Sequence, residues 1–324
     1  MPQTECLAET HALGEAIVRN DRAVFETAIT TRSELVDTPC RWIDRRGRER
    51  PVKPLVLADM LARVDLTKRL LQAGADIHDL DASLFGCCEG HDLEHLRRLL
   101  AVGVNPSDAR NDGWDCDVLY GFLQTYTRSS PDHLHTCINL LIDHGAAFED
   151  GPVMDIHRGD LDGLAARLEV DAGLVSARFA LDYGSHLTLR GSTLLHVAVE
   201  FHELEAIALL LKHGADLNAR VAVGRNGVGG HTPLFHAIGT NQGTGFHVFE
   251  QLLELKPDLA VEAMIQSNPG DNDLVMDCIH KGKEHFFEEV LELTPLGYAK
   301  RFSEGPVWRE ASRELAVLKT LGAP

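Results

Sequence analysis

A chain of 324 residues with 44% hydrophobic and 25% charged residues has the composition of a folded protein, not of a disordered or fibrous one. It contains no run of about 20 apolar residues, so we expect no membrane span, and its acidic N-terminus lacks the features of a signal peptide. The formal net charge of −18 argues against binding to nucleic acid or anionic membranes and suits a protein partner with a basic surface.

The first predicted elements are two short helices between Leu7 and Val36, separated at Asn20 and Asp21. The segment 41–53 that follows is the only dense basic run of the chain, and it includes Trp42. Because charge runs usually face water, we interpret this segment as a solvated hairpin. Binding of RNA or of an acidic partner through 41–53 is the alternative, since arginine and tryptophan suit both.

Further along the chain, apolar helices repeatedly end in a glycine. These stops are Gly74, Gly103, Gly145 and Gly214, where glycine adopts a backbone conformation that costs other residues more. Two later helices are expected to stop at proline instead, at Pro257 and Pro295. The long interval before Gly214 contains one further unit, between residues 157 and 179.

Within this series, residues 91–95 spell HxxEH, which resembles the inverted zinc-protease motif. On one helix, His91 and His95 would share a face and bind zinc, with Glu94 as the base. Counted back from Gly103, however, Glu94 occupies the position that Glu205 occupies before Gly214, so the repeat explains the glutamate. No third ligand is identifiable. We therefore expect no metal and no other cofactor, and keep a metal-dependent hydrolase as an alternative function.

The most informative segment is 193–218, which reads TLLHVAVEFHELEAIALLLKHGADLN. A turn at Thr193 leads into a short apolar helix, and a second apolar helix ends at Gly214. This segment resembles the ankyrin repeat, whose pattern is TPLHxAAxxGHxEIVxLLLxxGADVN. The matching residues are Thr193, Leu195, His196, Ala198, Glu205, Leu209, Leu210, Leu211, Gly214, Ala215, Asp216 and Asn218.

The resemblance implies an all-α fold, an ankyrin-repeat solenoid of stacked helix-turn-helix units with finger loops and helical caps. Stacking is needed because a repeat of ~33 residues cannot bury its hydrophobic face alone. Residues 1–324 then form a single array, with an N-terminal cap at 1–40 and a C-terminal cap at 301–324. Between them, 41–300 would hold about seven repeats, best matched at 191–220 and 230–261. The units at 262–300 match only in their helix pattern.

Three insertions lengthen the regular repeat, at 41–53, 180–190 and 221–230. Such insertions are expected to project as fingers beside the concave face, where partners most often bind. The third insertion contains four glycines, and we interpret it as a flexible finger that needs glycine for its turns. A phosphate-binding loop is less well supported, because His231 stands where a lysine is required and no strand precedes the loop.

The predicted function is non-catalytic binding of a partner protein through the finger loops and the concave face. An inhibitor or immunity protein, an adaptor and a regulatory subunit all fit, and the sequence does not rank them. We expect Phe201, which follows the first helix of the best repeat, to be a surface anchor. The full set of expected partner-binding residues is Arg225, Asn226, Glu200, Phe201, Tyr183 and Trp114.

No serine, cysteine or threonine lies in a recognisable activating context, so the chain is not expected to be an enzyme. Its seven cysteines are odd in number and form no CxxC pair, which is typical of reduced thiols in the cytoplasm. We expect a cytoplasmic monomer that binds neither nucleic acid nor membrane.

Overall fold

The structure, a computed structural model, describes most of the chain in two compact units. The described residues are 12–43, 46–111, 116–125, 127, 130–183, 188–224, 227–266, 279–280, 283–284, 290–303 and 310–324. One unit comprises Met1–Val118 and Leu140–Ala146, and the other comprises Leu119–Asn139 and Ala147–Pro324. Among these described residues, no helix has the length and apolar character needed to cross a membrane.

Short helices dominate both units. The helices that begin before residue 140 are α1 (12–19), α2 (Arg22–Thr31), α3 (Pro54–Met60), α4 (Val64–Gln72), α5 (Asp81–Gly86), α6 (Leu93–Ala101), α7 (Val118–Gln124) and α8 (Pro131–Asp143). The later helices are α9 (Pro152–Arg158), α10 (Leu161–Val170), α11 (Leu194–Glu200), α12 (Leu204–Lys212), α13 (Pro233–His236), α14 (Phe246–Glu254), α15 (Pro295–Ser303) and α16 (Ser312–Thr320).

Short antiparallel strand pairs interrupt the helices. Two of these pairs are hairpins formed by the first two predicted insertions: β1 (Cys40–Ile43) with β2 (Glu49–Val52), and β3 (Phe179–Asp182) with β4 (Thr188–Ser192). In the C-terminal part, β5 (Ala263–Gln266) pairs with β8 (Val290–Leu293), and β6 (Ile279–His280) pairs with β7 (Lys283–Glu284). The hairpin expected at 41–53 is therefore present.

Local sequence explains where the paired helices begin and end. Asp92 and Asp160 precede α6 and α10 and accept hydrogen bonds from backbone amides of the first turn, which satisfies groups that a helix leaves unpaired. The predicted glycine stops have positive φ, at 99° for Gly74, 100° for Gly103 and 89° for Gly214. Glycine adopts this backbone conformation at little cost, so α4, α6 and α12 end where the sequence indicated.

The helix pattern predicted for 262–300 is wrong in two places. Residues 263–266 and 290–293 are strands that pair in register from Ala263 opposite Leu293 to Gln266 opposite Val290. Pro295 does not end a helix but is the first residue of α15. Proline has no amide hydrogen to donate and its φ is already helical, so the first turn accommodates it.

The core of each unit consists of the inward faces of its helix pairs. In the first unit, Leu55, Leu70 and Leu96 have no exposed surface. In the second, Leu195, Phe235 and Phe249 are equally buried. Each such side chain contributes roughly 2 kcal/mol through removal of apolar surface from water. Burial of these faces, more than helix propensity, holds helices of four to nine residues in place.

Candidate interaction surface

The base of the second finger, β3–β4, is fixed by a buried aromatic cluster. Tyr183 follows β3 and is only 3% exposed. Its hydroxyl lies 2.8 Å from Nε2 of His157, which is on α9. The ring of Phe201 packs at 4.4 Å from the His157 ring and at 5.9 Å from the Tyr183 ring, centroid to centroid. The finger is therefore attached to the helices by a side chain inserted into their core.

This cluster corrects two expectations drawn from the sequence. Phe201 is 1% exposed, so it is not a surface anchor. Tyr183 is also buried, so it holds the finger in place instead of presenting its ring to a partner. The insertion supplies the residue that covers Phe201, and the repeat pattern alone contains no such residue.

Three histidines form the polar centre of the best-matched repeat. The ring of His236 lies 5.6 Å from that of His196 and 5.0 Å from that of His231. Nδ1 of His196 accepts hydrogen bonds from the backbone amide of Thr193 at 3.2 Å and from its hydroxyl at 2.8 Å. Nε2 of His196 then donates to the carbonyl oxygen of His231 at 3.4 Å. This pattern requires the neutral imidazole, with its proton on Nε2.

Burial keeps two members of this trio uncharged. Desolvation lowers the pKa of His196 well below 6.5, and the neighbouring His236 adds to this effect. Desolvation likewise lowers the pKa of His231, followed by the effects of His236 and His196. A buried charge without compensation is costly, so the trio is stable only when these rings are neutral.

Glu200 is the partner-binding candidate that lies beside the trio. It is the last residue of α11, and its Oε2 accepts a hydrogen bond of 2.8 Å from Nδ1 of His236. The side chain of His236 has no exposed surface, whereas that of Glu200 is 14% exposed. Glu200 therefore brings a carboxylate to the edge of the repeat core, where part of it reaches solvent.

The third finger, residues 221–230, has a base built from backbone hydrogen bonds. The amide of Val221 donates to the carbonyl oxygen of His231 at 3.1 Å, and the amide of Gly230 donates to that of Val221 at 3.1 Å. Gly229 and Met264 exchange amide-to-carbonyl bonds of 2.9 and 2.8 Å, which tie the finger to β5. The glycines are needed for geometry, because Gly227, Gly229 and Gly230 all have positive φ. The base of the finger that we expected to be flexible is therefore hydrogen-bonded on both sides.

Two more backbone bonds join the described residues that flank the tip of the third finger. The amide of Gly224 donates to the carbonyl oxygen of Val228 at 2.8 Å, and the amide of Gly227 donates to the carbonyl oxygen of Gly224 at 3.0 Å. Val223 is 54% exposed directly before this turn. Arg225 and Asn226, the candidates expected at the tip, lie outside the described residues, as does Trp114.

The family model named Ankyrin repeat matches residues 190–221, which contain α11, α12 and the glycine stop at Gly214. This stretch of the chain is an ankyrin repeat. No curated protein matches it in sequence.

Two solved structures of ankyrin repeat domains are similar to this chain. The human ASB11 ankyrin repeat domain shares 19% identity at a TM-score of 0.38, over 75% of this chain and 96% of that one. The ankyrin repeat domain of Bcl-3, described as a unique member of the IkappaB protein family, shares 20% identity at a TM-score of 0.34. That match covers 78% of this chain and 89% of the other.

The structure also contradicts the idea that the two histidines of the HxxEH motif lie on one helix. His91 has a φ of 49° and lies in the turn before α6, which begins at Leu93. Nε2 of His95 lies 2.9 Å from Asp59, and Glu94 forms an ion pair with Arg97. His91 and His95 therefore do not share a helix face. Within the described part of the chain, no group of three or more histidine, cysteine or acidic residues is arranged to hold a metal.

Sequence reasoning missed Val223 as a surface candidate. Valine in a repeat usually belongs to the core, and the neighbouring Val221 and Val228 are 4% and 6% exposed. The available signal was the position of Val223 next to the first glycine of the finger, where the chain leaves the repeat.

Proposed function

We propose that this ankyrin-repeat protein is a non-catalytic module that binds a partner protein through its finger loops and concave face. Ankyrin repeats are general protein-interaction modules, which supports the binding role. The observation that carries the proposal is the anchoring of the inserted fingers. Their bases are fixed by Tyr183 in one case and by the bonds of Gly229 in the other.

Anchored bases favour binding because the loops are already largely ordered, which lowers the entropy cost when the partner binds. Immobilising a side chain costs about 0.5–1.5 kcal/mol on binding, and ordering a whole loop costs more. In the third finger, the described residues that flank the tip are joined by backbone bonds from Gly224 to Val228 and from Gly227 to Gly224. We assign the main partner contact to this tip, which comprises Val223, Arg225 and Asn226.

Glu200, at the end of α11, is proposed as the second contact with the partner. Its carboxylate is fixed by His236, so a cation of the partner would meet an oriented acceptor. The net charge of −18 would guide a basic partner to this surface during encounter. We also propose that the protein acts as a monomer in the cytoplasm, in keeping with its seven unpatterned cysteines.

Affinity capture from native lysate tests the finger tip. The variant Val223→Asp is compared with Val170→Asp, a matched control because Val170 is a valine that is 90% exposed at the end of α10. We expect Val223→Asp, and separately Arg225→Ala with Asn226→Ala, to reduce recovery of a specific partner about tenfold or more. Val170→Asp should leave recovery unchanged. Equal recovery by all variants would remove the third finger from the binding site.

A further inference from the structure

The first finger, residues 40–52, differs in charge from the rest of the molecule. It contains five arginines and two acidic residues, so it carries a formal charge of +3. The whole chain carries −18, and the remainder therefore carries −21. The described arginines of the finger, Arg41, Arg46, Arg48 and Arg50, are all exposed. Charged groups separated by more than about 8 Å are largely screened at physiological salt, so this cationic surface acts locally.

The two faces of the hairpin are chemically different. Successive residues of a strand point to opposite faces, and the register pairs Arg41 with Pro51 and Ile43 with Glu49. All four of these residues are exposed, and Ile43 has 52% of its surface in solvent. The outward face therefore combines the apolar Ile43 and Pro51 with an Arg41–Glu49 ion pair of 2.6 Å.

The opposite face anchors the finger to its unit. Cys40 is 1% exposed, its Sγ lies 3.2 Å from the carbonyl oxygen of Val52, and it packs beside Gly14 of α1. Trp42 lies on this same face and is half-buried. Directly after β2, Lys53 forms an ion pair of 2.7 Å with Asp79. The outward face is thus presented by a fixed hairpin.

We propose that the first finger binds an acidic peptide segment of a partner protein through Arg46, Arg48 and the outward face at Ile43. Carboxylates of the segment would meet the guanidinium groups beside the turn, and an aliphatic side chain would cover Ile43 and Pro51. The inference rests on the proposed function, because it treats the protein as a partner-binding scaffold. It concerns a different finger, however, and an acidic instead of a basic partner segment.

Charge and geometry favour a peptide over a nucleic acid. Single-stranded nucleic acids are bound by stacking bases on aromatic rings along a positive groove, whereas Trp42 is half-buried on the inward face. A phosphate backbone would also extend beyond the finger along a molecule that otherwise carries −21. A short acidic peptide places its charges only where the arginines are.

Fluorescence anisotropy with the full-length protein tests this proposal. The probes are a short labelled peptide of alternating aspartate and leucine, its asparagine counterpart, and a labelled poly-uridine RNA of similar length. The test variant carries Arg46→Glu and Arg48→Glu. The control carries Lys68→Glu and Arg97→Glu, which make the same charge change at exposed positions of α4 and α6.

We expect the aspartate peptide to bind the wild type and to lose about tenfold in affinity in the test variant, with less than a twofold change in the control. The asparagine peptide should bind at least tenfold more weakly than the aspartate peptide. No binding of the aspartate peptide, or equal loss in both variants, would overturn the proposal. Tighter binding of RNA that depends on Arg46 and Arg48 would replace it with a nucleic-acid site.

Two further measurements keep the test independent of folding and of the third finger. Circular dichroism verifies that each variant is folded, and a salt titration of the wild type provides a second readout if the test variant is not. Addition of salt must weaken binding of the aspartate peptide, and salt-independent binding overturns the proposal. Val223→Asp should bind the peptide normally, so failure of the proposed function at the third finger remains distinguishable from failure here.

Discussion

At the scale of single residues, the histidine trio makes the stability of the second unit depend on pH. His196 and His231 have pKa values held well below 6.5 by burial, while an unfolded chain protonates histidine near 6.5. Besides one another, the charged groups that act on the trio are Glu200, which bonds His236, and Arg178, which lowers the pKa of His196.

We predict that the stability contributed by the neutral histidine trio is complete above pH 6.5 and decreases as the pH falls below it. In that range the unfolded chain binds protons that the folded core excludes, and each excluded proton costs about 1.4 kcal/mol per pH unit. His231→Leu should remove roughly half of this loss, because Nδ1 of His231 has no hydrogen-bond partner in the described part of the chain. Urea unfolding between pH 5 and pH 8 measures the slope. His133→Gln, an exposed histidine, is the control, and an unaltered slope in His231→Leu would contradict the prediction.

Glu314 on α16 should produce the opposite dependence. It is 1% exposed, and burial raises its pKa from 4.5 to about 7. Between these values the folded state retains a proton that the unfolded state has lost, so the contribution of Glu314 to stability is highest below pH 4.5 and decreases as the pH rises to about 7. At pH 8, Glu314→Gln should therefore stabilise the protein by about 2 kcal/mol. Exposed Glu254→Gln serves as the control, and no gain in the urea midpoint for Glu314→Gln would refute the argument.

Some of these residue roles could be read from the sequence and others could not. The position of His196 in the Thr-x-x-His turn predicts a structural role, and its bonds to Thr193 agree with that. Burial of Phe201 was not predictable, because Tyr183 and His157 cover it from an insertion and from another repeat. A pattern confined to one repeat contains no information about such neighbours.

At the scale of elements, glycine has two separable roles in this fold. Gly214 ends α12 with a φ of 89°, and a Cβ built on it would meet nothing within 4 Å. Gly229 has a φ of 139°, and a Cβ there would overlap the carbonyl oxygen of Ala222. The first position requires only a backbone conformation, and the second also requires the absence of a side chain.

We predict that Gly229→Ala destabilises the protein by at least about 3 kcal/mol, since strain and overlap combine. Gly214→Ala should cost only about 1–2 kcal/mol, because it pays the conformational penalty alone. Thermal unfolding of both variants under the same conditions provides the comparison. Equal losses would show that the contact between the third finger and β5 does not limit stability.

The strands β5 and β8 mark the limit of pattern reading at this scale. Paired helices follow from apolar spacing and glycine stops, which are local signals. The segments AMIQ and VLEL are short apolar runs, which periodicity alone does not assign to helix or strand. Here the distant partner strand determines that each segment is extended. The third finger adds an isolated bridge between Gly229 and Met264.

At the scale of the whole molecule, the net charge of −18 should itself oppose folding through self-repulsion. We predict that added salt raises the thermal midpoint by about 2–4 °C between low and physiological ionic strength, because screening weakens the repulsion. Differential scanning calorimetry across a sodium chloride series measures this. The exposed ion pairs, such as Arg97–Glu94, contribute too little to reverse the sign. A midpoint that falls with salt would mean that specific ion pairs outweigh the net charge.

The bonded base of the third finger also bears on how new binding specificities can arise on this scaffold. The backbone bonds of this base involve Val221, Gly229, Gly230 and His231, and a side chain at Gly229 would overlap Ala222. Natural drift or a designed library restricted to positions 223–226 would therefore sample different partners while leaving these bonding residues unchanged. Such a tip is a suitable place to graft a recognition sequence taken from another protein.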